Sequence, residues 1–147
     1  MTPVVETIEI SRRPEDVFSY ATDFAHFPEW QGALSVSKEG DATPAVGSKA
    51  RVSRRVGPRE MTRTEEITEL VPPKSWTTRG VGGPVTAIAK GSIEPLDDGE
   101  RSRVTIALDF EGHGIGKLLV PLLIRRQAQR DLPKNGQRLK DVLERQR

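Results

Sequence analysis

"IEISRRPEDVFSYATDFAHFPEW", residues 8–30, changes its hydrophobic period partway along, and that change sets the start of the fold. Its first residues finish a strand: across 4–11, VVETIEIS, apolar and polar positions alternate and put Ile8 and Ile10 on one face. Pro14 then suits the first turn of a helix, where its missing N–H has no partner to lose. Glu15 and Asp16 suit the positive end of the helix dipole. Val17, Phe18, Ala21 and Phe24 recur at helical spacing, and Phe27-Pro28 predicts the end of this region, because a residue before proline avoids the α conformation. Phe24, Phe27 and Trp30 lie within FAHFPEW (24–30) and Tyr20 just before it, which concentrates four of the chain's seven aromatic residues. Core packing and pocket lining both account for that concentration. Phe24 continues the helical face, while Phe27 and Trp30 are placed to close the end of a pocket as they pack. Tyr20 offers a hydroxyl while its ring packs.

Outward from this stretch, the chain reads as a meander. Strands are expected at 33–39, 48–57, 60–71, 75–80, 84–95 and 102–111, separated by the turn signals Gly40-Asp41, Gly57-Pro58, Pro72-Pro73, Gly82-Gly83 and Asp97-Asp98-Gly99. Such short spacings predict hairpins, hence an antiparallel sheet. In the last strand Val104, Ile106, Leu108 and Phe110 share a face. The neighbouring strand then presents Val85, Ala87, Ala89, Gly91 and Ile93. Small side chains there either leave volume for a ligand or let a helix approach closely. After GHGIG (112–116) the period changes again. Apolar residues at 118, 119, 122, 123, 132, 139, 142 and 143 predict a long amphipathic helix over 117–146, about 45 Å if fully formed. Pro121 fits near its first turn, and Pro133 is expected to kink it.

Composition narrows the function. The chain has 147 residues, enough for one domain spanning 1–147, with 35% hydrophobic and 30% charged residues. No run approaches the roughly 18 apolar residues of a membrane span, and the acidic N-terminal MTPVVETIEIS does not read as an export signal. The chain has no cysteine and two histidines, so neither a thiol nucleophile nor a metal site is expected, and a cytoplasmic location is. Arg51, Arg54, Arg55, Arg59 and Arg63 cluster in mid-chain; Lys117, Arg125, Arg126, Arg130 and Lys134 cluster later. With no interleaved aromatics, these read as solvated strand and helix faces rather than a nucleic-acid surface. GVGGP (80–84) has no following helix and fails as a dinucleotide loop.

A sheet that is apolar on one face must cover it, and the terminal helix is the one element long enough to do so. In this order the chain resembles the SRPBCC or START-like superfamily, which includes pollen allergens, lipid-transfer domains and polyketide aromatase/cyclases. The resemblance rests on IEISRRPEDVFSYATDFAHFPEW, EEITELVPPKSWTTRG, GSIEPLDDGERSRVTIALDFEG and LKDVLE, taken in order. It is strongest to the polyketide cyclase/dehydrase-type branch. It implies an α+β helix-grip fold: a seven-stranded curved antiparallel sheet wrapped around a long C-terminal helix, with two short helices between strands 1 and 2. It also implies a cavity between sheet and helix. Fold membership alone does not assign a reaction.

Candidate ligand-binding residues follow from the inward faces: Tyr20, Phe24, Phe27, Trp30, Met61, Arg63, Glu65, Trp76, Ala87, Ala89, Ile106, Leu108 and Phe110, with Leu119 and Leu123 from the helix. On 60–71, the parity that turns Ile67 inward does the same for Met61, Arg63 and Glu65; a slip of one residue presents Thr62 and Thr64 instead. Paired in a cavity, Arg63 and Glu65 are able to orient a polar group or shift each other's proton affinity. His113, between glycines at the joint, has an imidazole suited to base chemistry near neutral pH, against the alternative of simple solvent exposure. His26 carries the same two readings. The expected function is carriage or sequestration of a small apolar molecule (lipid, polyketide or aromatic metabolite) by a monomer or homodimer that uses no cofactor, metal or nucleic acid. The alternative is an aromatase/cyclase, in which Arg63, Glu65, Tyr20 or His113 assists aldol proton transfer and dehydration.

Overall fold

The computed structural model describes residues 3–40 and 43–145. Asp41 of the Gly40-Asp41 turn, residues 146–147 and the side chain of Leu122 lie outside what it describes. Strand β1 (Val4–Ile10) leads into α1 (Pro14–Ala21), a 3-10 turn (Phe24–His26), and the short α2 (Phe27–Trp30). There follow β2 (Ser35–Lys38), β3 (Lys49–Val56), β4 (Arg59–Val71), β5 (Ser75–Val81), β6 (Val85–Leu96) and β7 (Arg101–Gly112). The C-terminal region is α3 (Gly116–Leu119), a π turn (Val120–Ile124) and α4 (Arg125–Arg145).

The seven strands form one antiparallel sheet in the order β1-β7-β6-β5-β4-β3-β2. Hairpins join each strand from β2 to β7 to the next. β1 returns to pair with β7, Ile8 opposite Val104. A bulge between Ile67 and Glu69 shifts the β4–β5 register. The helix-grip arrangement implied by the sequence is the one observed. α4 packs against β1 and α2, burying Ala128, Leu132, Gly136, Leu139 and Leu143 at spacings of three and four. Gly136 faces β1: a Cβ there would lie 3.5 Å from Glu6 Cγ, an ordinary contact distance.

The start of the fold differs from expectation in one respect. α1 has Pro14 in its first turn and Glu15 and Asp16 beside it, but it stops at Ala21. Phe27-Pro28 does not terminate a helix; it begins α2, with Phe27 in αR geometry. Pro28 is tolerated because its missing N–H falls in the first turn, where no intrahelical acceptor waits for it. Phe24 and Phe27 pack edge to face, centroids 5.1 Å apart, and Phe27 and Trp30 likewise at 6.0 Å.

The tail differs in phase. Pro121 cannot donate to the carbonyl one α-turn back, and a π turn forms around it. The Arg125 N–H bonds to the Val120 carbonyl, five residues earlier. The wider turn rotates the apolar face, so Val120 and Ile124 point inward while Leu118 and Leu123 are exposed. α4 then runs through Pro133 without interruption. Among the described residues no helix is long and apolar enough to cross a membrane.

The apolar interior comes in two pieces. The larger joins α1, α2 and α4 to β1, β5 and β7 through residues such as Ile10, Val17, Phe18, Val104, Leu139 and Leu143. The smaller gathers Val85, Val120 and Ile124 beneath Val56 and Leu119. Phe110 packs against both, and a space opens beside it.

Candidate ligand cavity

That space is a cavity of ≈ 520 Å³ under α4, lined by residues of both apolar clusters. Its geometry comes from rows of side chains running across the sheet. On β6 the inward positions Ala87, Ala89 and Gly91 pair on one side with Gly80, Thr78 and Trp76 of β5, and on the other with Phe110, Leu108 and Ile106 of β7. The middle strand thus carries almost no side-chain volume, while β7 beside it carries large groups. Gly91 has a packing role: a Cβ there would sit 2.1 Å from the Trp76 ring, so only glycine lets the indole lie across β6. The wider space opens over Ala87 and Ala89, both of which line the cavity.

The row through Ala87 continues across Gly80 to Glu65 of β4 and Ala50 of β3. A Cβ on Gly80 would meet Glu65 Cγ at 3.3 Å, so this glycine leaves room for the carboxylate. Glu65 is buried, and its oxygens accept from Arg54 of β3, Nε and Nη2 each at 3.2 Å from Oε2. Arg54 is further held by Gln31, at the end of α2, whose side-chain oxygen and carbonyl both accept from it. Its guanidinium also lies 5.9 Å from the Phe27 ring centroid. Arg54 is therefore fixed on several sides.

Arg63 differs. It is 9% exposed, lines the same cavity, and its Nε has no hydrogen-bond partner among the described residues. Burial pulls its guanidinium below the usual arginine range; Glu65 opposes that shift and Arg54 adds to it. Trp30 Nε1 is likewise buried without a partner, and Trp30 lines the cavity from α2. Two buried donors on residues that line the cavity from different walls thus have no acceptor among the described residues. At the opening, the exposed Arg55, Lys134 and Arg138 add positive charge, while Arg130 pairs with Asp131 at 3.3 Å.

Of the residues singled out in the sequence, Trp30, Arg63, Glu65, Trp76, Ala87, Ala89, Ile106, Leu108 and Phe110 line this space. The parity read for β4 is the one present: Arg63, Glu65 and Ile67 are buried, and Thr62 is exposed. The others stand elsewhere. Tyr20 turns its hydroxyl to Glu29 Oε2, 2.6 Å away, and stacks on His26 at 4.1 Å. Burial and that bond push its phenol well above the usual tyrosine range. In turn the bonds from Tyr20 and His26 hold the Glu29 carboxyl low. His26, read as exposed or functional, is thus half-buried within this cluster. Phe24 and Phe27 are core residues behind the cavity. Met61 lies beside the Gly83 turn, near the strand end and away from the cavity. Leu119 belongs to the smaller apolar cluster, and Leu123, 36% exposed, covers Gly57; the π turn has rotated both off the lining. His113 is exposed, and its imidazole Nε2 lies 3.1 Å from Thr86 Oγ1.

Arg54 went unrecognised in the sequence, absorbed into a basic cluster read as solvated. The signal was available: β3 alternates Ala50, Val52, Arg54, Val56, and the parity that buries Val52 also turns Arg54 inward. Ile124, Ala128 and Leu132 line the cavity from the helix, and the phase shift at Pro121 concealed the first of them.

No curated protein matches the sequence. Among solved structures, the chain is similar to the Zhui aromatase/cyclase of Streptomyces sp. R1128 (TM-score 0.79, 15% identity, covering 97% of this chain and 93% of that one). It is also similar to a START superfamily protein of Mycobacterium smegmatis (TM-score 0.76, 16% identity, 99% of both chains). A third likeness is to a Thermus thermophilus protein, TTHA0849 (TM-score 0.77, 18% identity, 96% of both chains). At these identities the likeness concerns the fold. The family model described as polyketide cyclase / dehydrase and lipid transport matches residues 1–144, and it is to this family that the chain belongs.

Proposed function

We propose that the chain, acting as a single cytoplasmic domain, carries or sequesters a small, largely apolar molecule between its sheet and α4. Lipids, polyketides and aromatic metabolites are the classes the reading covers, taken up by a monomer or homodimer without cofactor or nucleic acid. The observation that carries it is the ≈ 520 Å³ space under α4, lined by residues of both apolar clusters. A helix meant only to cap the sheet would have closed that gap, since protein interiors pack to the density of organic crystals. The volume falls within the usual range for small-molecule sites, about 300–1,000 Å³. Affinity would come from apolar ligand surface removed from water, at roughly 25 cal/mol per Å² before association costs.

The test is native mass spectrometry of protein purified without detergent, followed by extraction. A stoichiometric apolar adduct, lost when Ala89→Trp fills the cavity, supports carriage. An empty protein that takes up no lipid, polyketide or aromatic compound rejects it.

A second reading, an aromatase/cyclase-type enzyme, is favoured by one observation: the buried side chains of Arg63 and Glu65 both line the cavity. In that reading they assist aldol proton transfer and dehydration of a folded poly-β-ketone. Tyr20 and His113 drop out of the chemistry, because neither lines the cavity. Appearance of a cyclised product from a polyketone substrate, abolished by Arg63→Met, separates this reading from carriage.

A further inference from the structure

We propose that the ligand is an acidic amphipath whose anionic group, a carboxylate in the first instance, is held deep in the cavity by Arg63 with Trp30 Nε1 as a second donor. This rests on the reading of the space as an apolar-ligand cavity and specifies what the ligand must carry.

The first support is charge. Six cationic side chains line the cavity against two carboxylates, an excess of four positive charges in a chain whose formal net charge is +2. Part of that charge is answered internally. Arg54 holds Glu65 at 3.2 Å, and Arg130 holds Asp131 at 3.3 Å. Removing both pairs leaves Arg63 inside and Arg55, Lys134 and Arg138 at the opening, with no lining carboxylate left over.

The second support is hydrogen bonding. A buried guanidinium is costly unless its donors are met. Arg63 Nε is unmet, although Glu65 stands two residues away on the same face. The Glu65 carboxylate is committed to Arg54, and Arg54 is itself locked by Gln31. Arg54 thus keeps Glu65 from satisfying Arg63, and the deep cation is left with an unmet donor beside the cavity. Trp30 Nε1 is a donor only and equally unmet. A neutral ligand with a single hydroxyl cannot neutralise Arg63. A cationic ligand would add to the excess charge. A carboxylate accepts through two oxygens and pairs with a guanidinium in fork geometry.

The exposed cations at the opening then have a role the deep site lacks. They raise the local concentration of an anionic amphipath and orient it, acid group first, toward a passage whose walls are Ala87, Ala89, Leu108 and Ile124.

Calorimetric titration of the purified chain near pH 7 with decanoate, decan-1-ol and decyltrimethylammonium tests this, because the three share a tail and differ in head charge. Decanoate should bind about 10- to 100-fold more tightly than decanol, the range expected for a charge-assisted bond. The ammonium should bind more weakly than the alcohol. Arg63→Met should abolish the difference between decanoate and decanol, and Arg63→Lys should retain part of the preference. Equal affinity of the wild-type chain for acid and alcohol overturns the proposal and leaves the apolar-cavity reading standing. A preference for acid that survives in Arg63→Met overturns the assignment of the deep site and shifts it to the rim. Binding of none of the three defeats both readings. Should the Arg63 variants not fold, the acid-to-alcohol ratio of the wild type still decides.

Discussion

The cavity has two unlike walls, and they meet at a single glycine. On the β6–β7 side the lining is Ala87, Ala89, Leu108 and Phe110, with Gly91 yielding its place to the Trp76 ring. On the β3–β4 side it is Arg54, Arg63 and Glu65, and Gly80 is the hinge between the two in one continuous row. Both walls obey the same two-residue alternation. What differs is the energetic reason for each residue to be inside: the first wall loses water-exposed apolar surface, whereas the second takes charges out of water and must answer them locally. A wall of the first kind supplies affinity without much selectivity, and a wall of the second kind does the reverse.

Breaking the charged wall should have the larger effect. Glu65→Gln removes the carboxylate that stands beside Arg54 and Arg63, leaving two cations facing each other. We expect a loss of roughly 2–3 kcal/mol in urea unfolding, less than the ~3–5 kcal/mol of a fully buried pair because the Arg54 side chain keeps 27% of its exposure. A loss below about 0.5 kcal/mol would mean that the pair is screened by solvent and that the walls differ less than their composition suggests.

The apolar wall should respond next. Gly91→Ala drives a methyl group into the Trp76 ring, and overpacking of this kind costs about 1–3 kcal/mol. Trp76→Phe in the same chain should recover part of that loss; if the two changes simply add, the contact is not the cause.

The smallest effect is expected away from both walls. Tyr20→Phe deletes a hydrogen bond to Glu29 that lies outside the cavity, for a cost of about 1 kcal/mol and no change in ligand binding. The sign of its pH dependence is fixed. The folded chain holds the Tyr20 proton more tightly than the unfolded chain, so this contribution is complete below the ordinary tyrosine pKa, about 10, and is lost as the pH rises above it. Alkaline unfolding should therefore steepen in the wild type and be flatter in Tyr20→Phe.

How much of this was legible differs by element. The order of strands and helices was, because alternation, turn residues and the switch to helical period are local signals. Each strand end falls within one or two residues of the expected position. The inward parity of Arg63 and Glu65 was legible for the same reason. The rest depends on events that span the chain. Arg54 looks like one of several solvated arginines until β3 is seen paired with β4 and its side chain is found answering Glu65. Leu119 and Leu123 fit the helical period, yet a single π turn around Pro121 moves them off the lining and puts Ile124 there. Tyr20 and Phe27 carry the composition of a pocket, but their partners, Glu29 and the Phe24 and Trp30 rings, hold them outside it.

One consequence concerns light rather than energy. The chain has two tryptophans, and both indoles border the cavity, Trp30 from α2 and Trp76 across Gly91. Its whole tryptophan emission therefore originates beside the site, one emitter on α2 and one on β5. An occupant is expected to register in wavelength or intensity, and the single replacements Trp30→Phe and Trp76→Phe would tell which indole senses it.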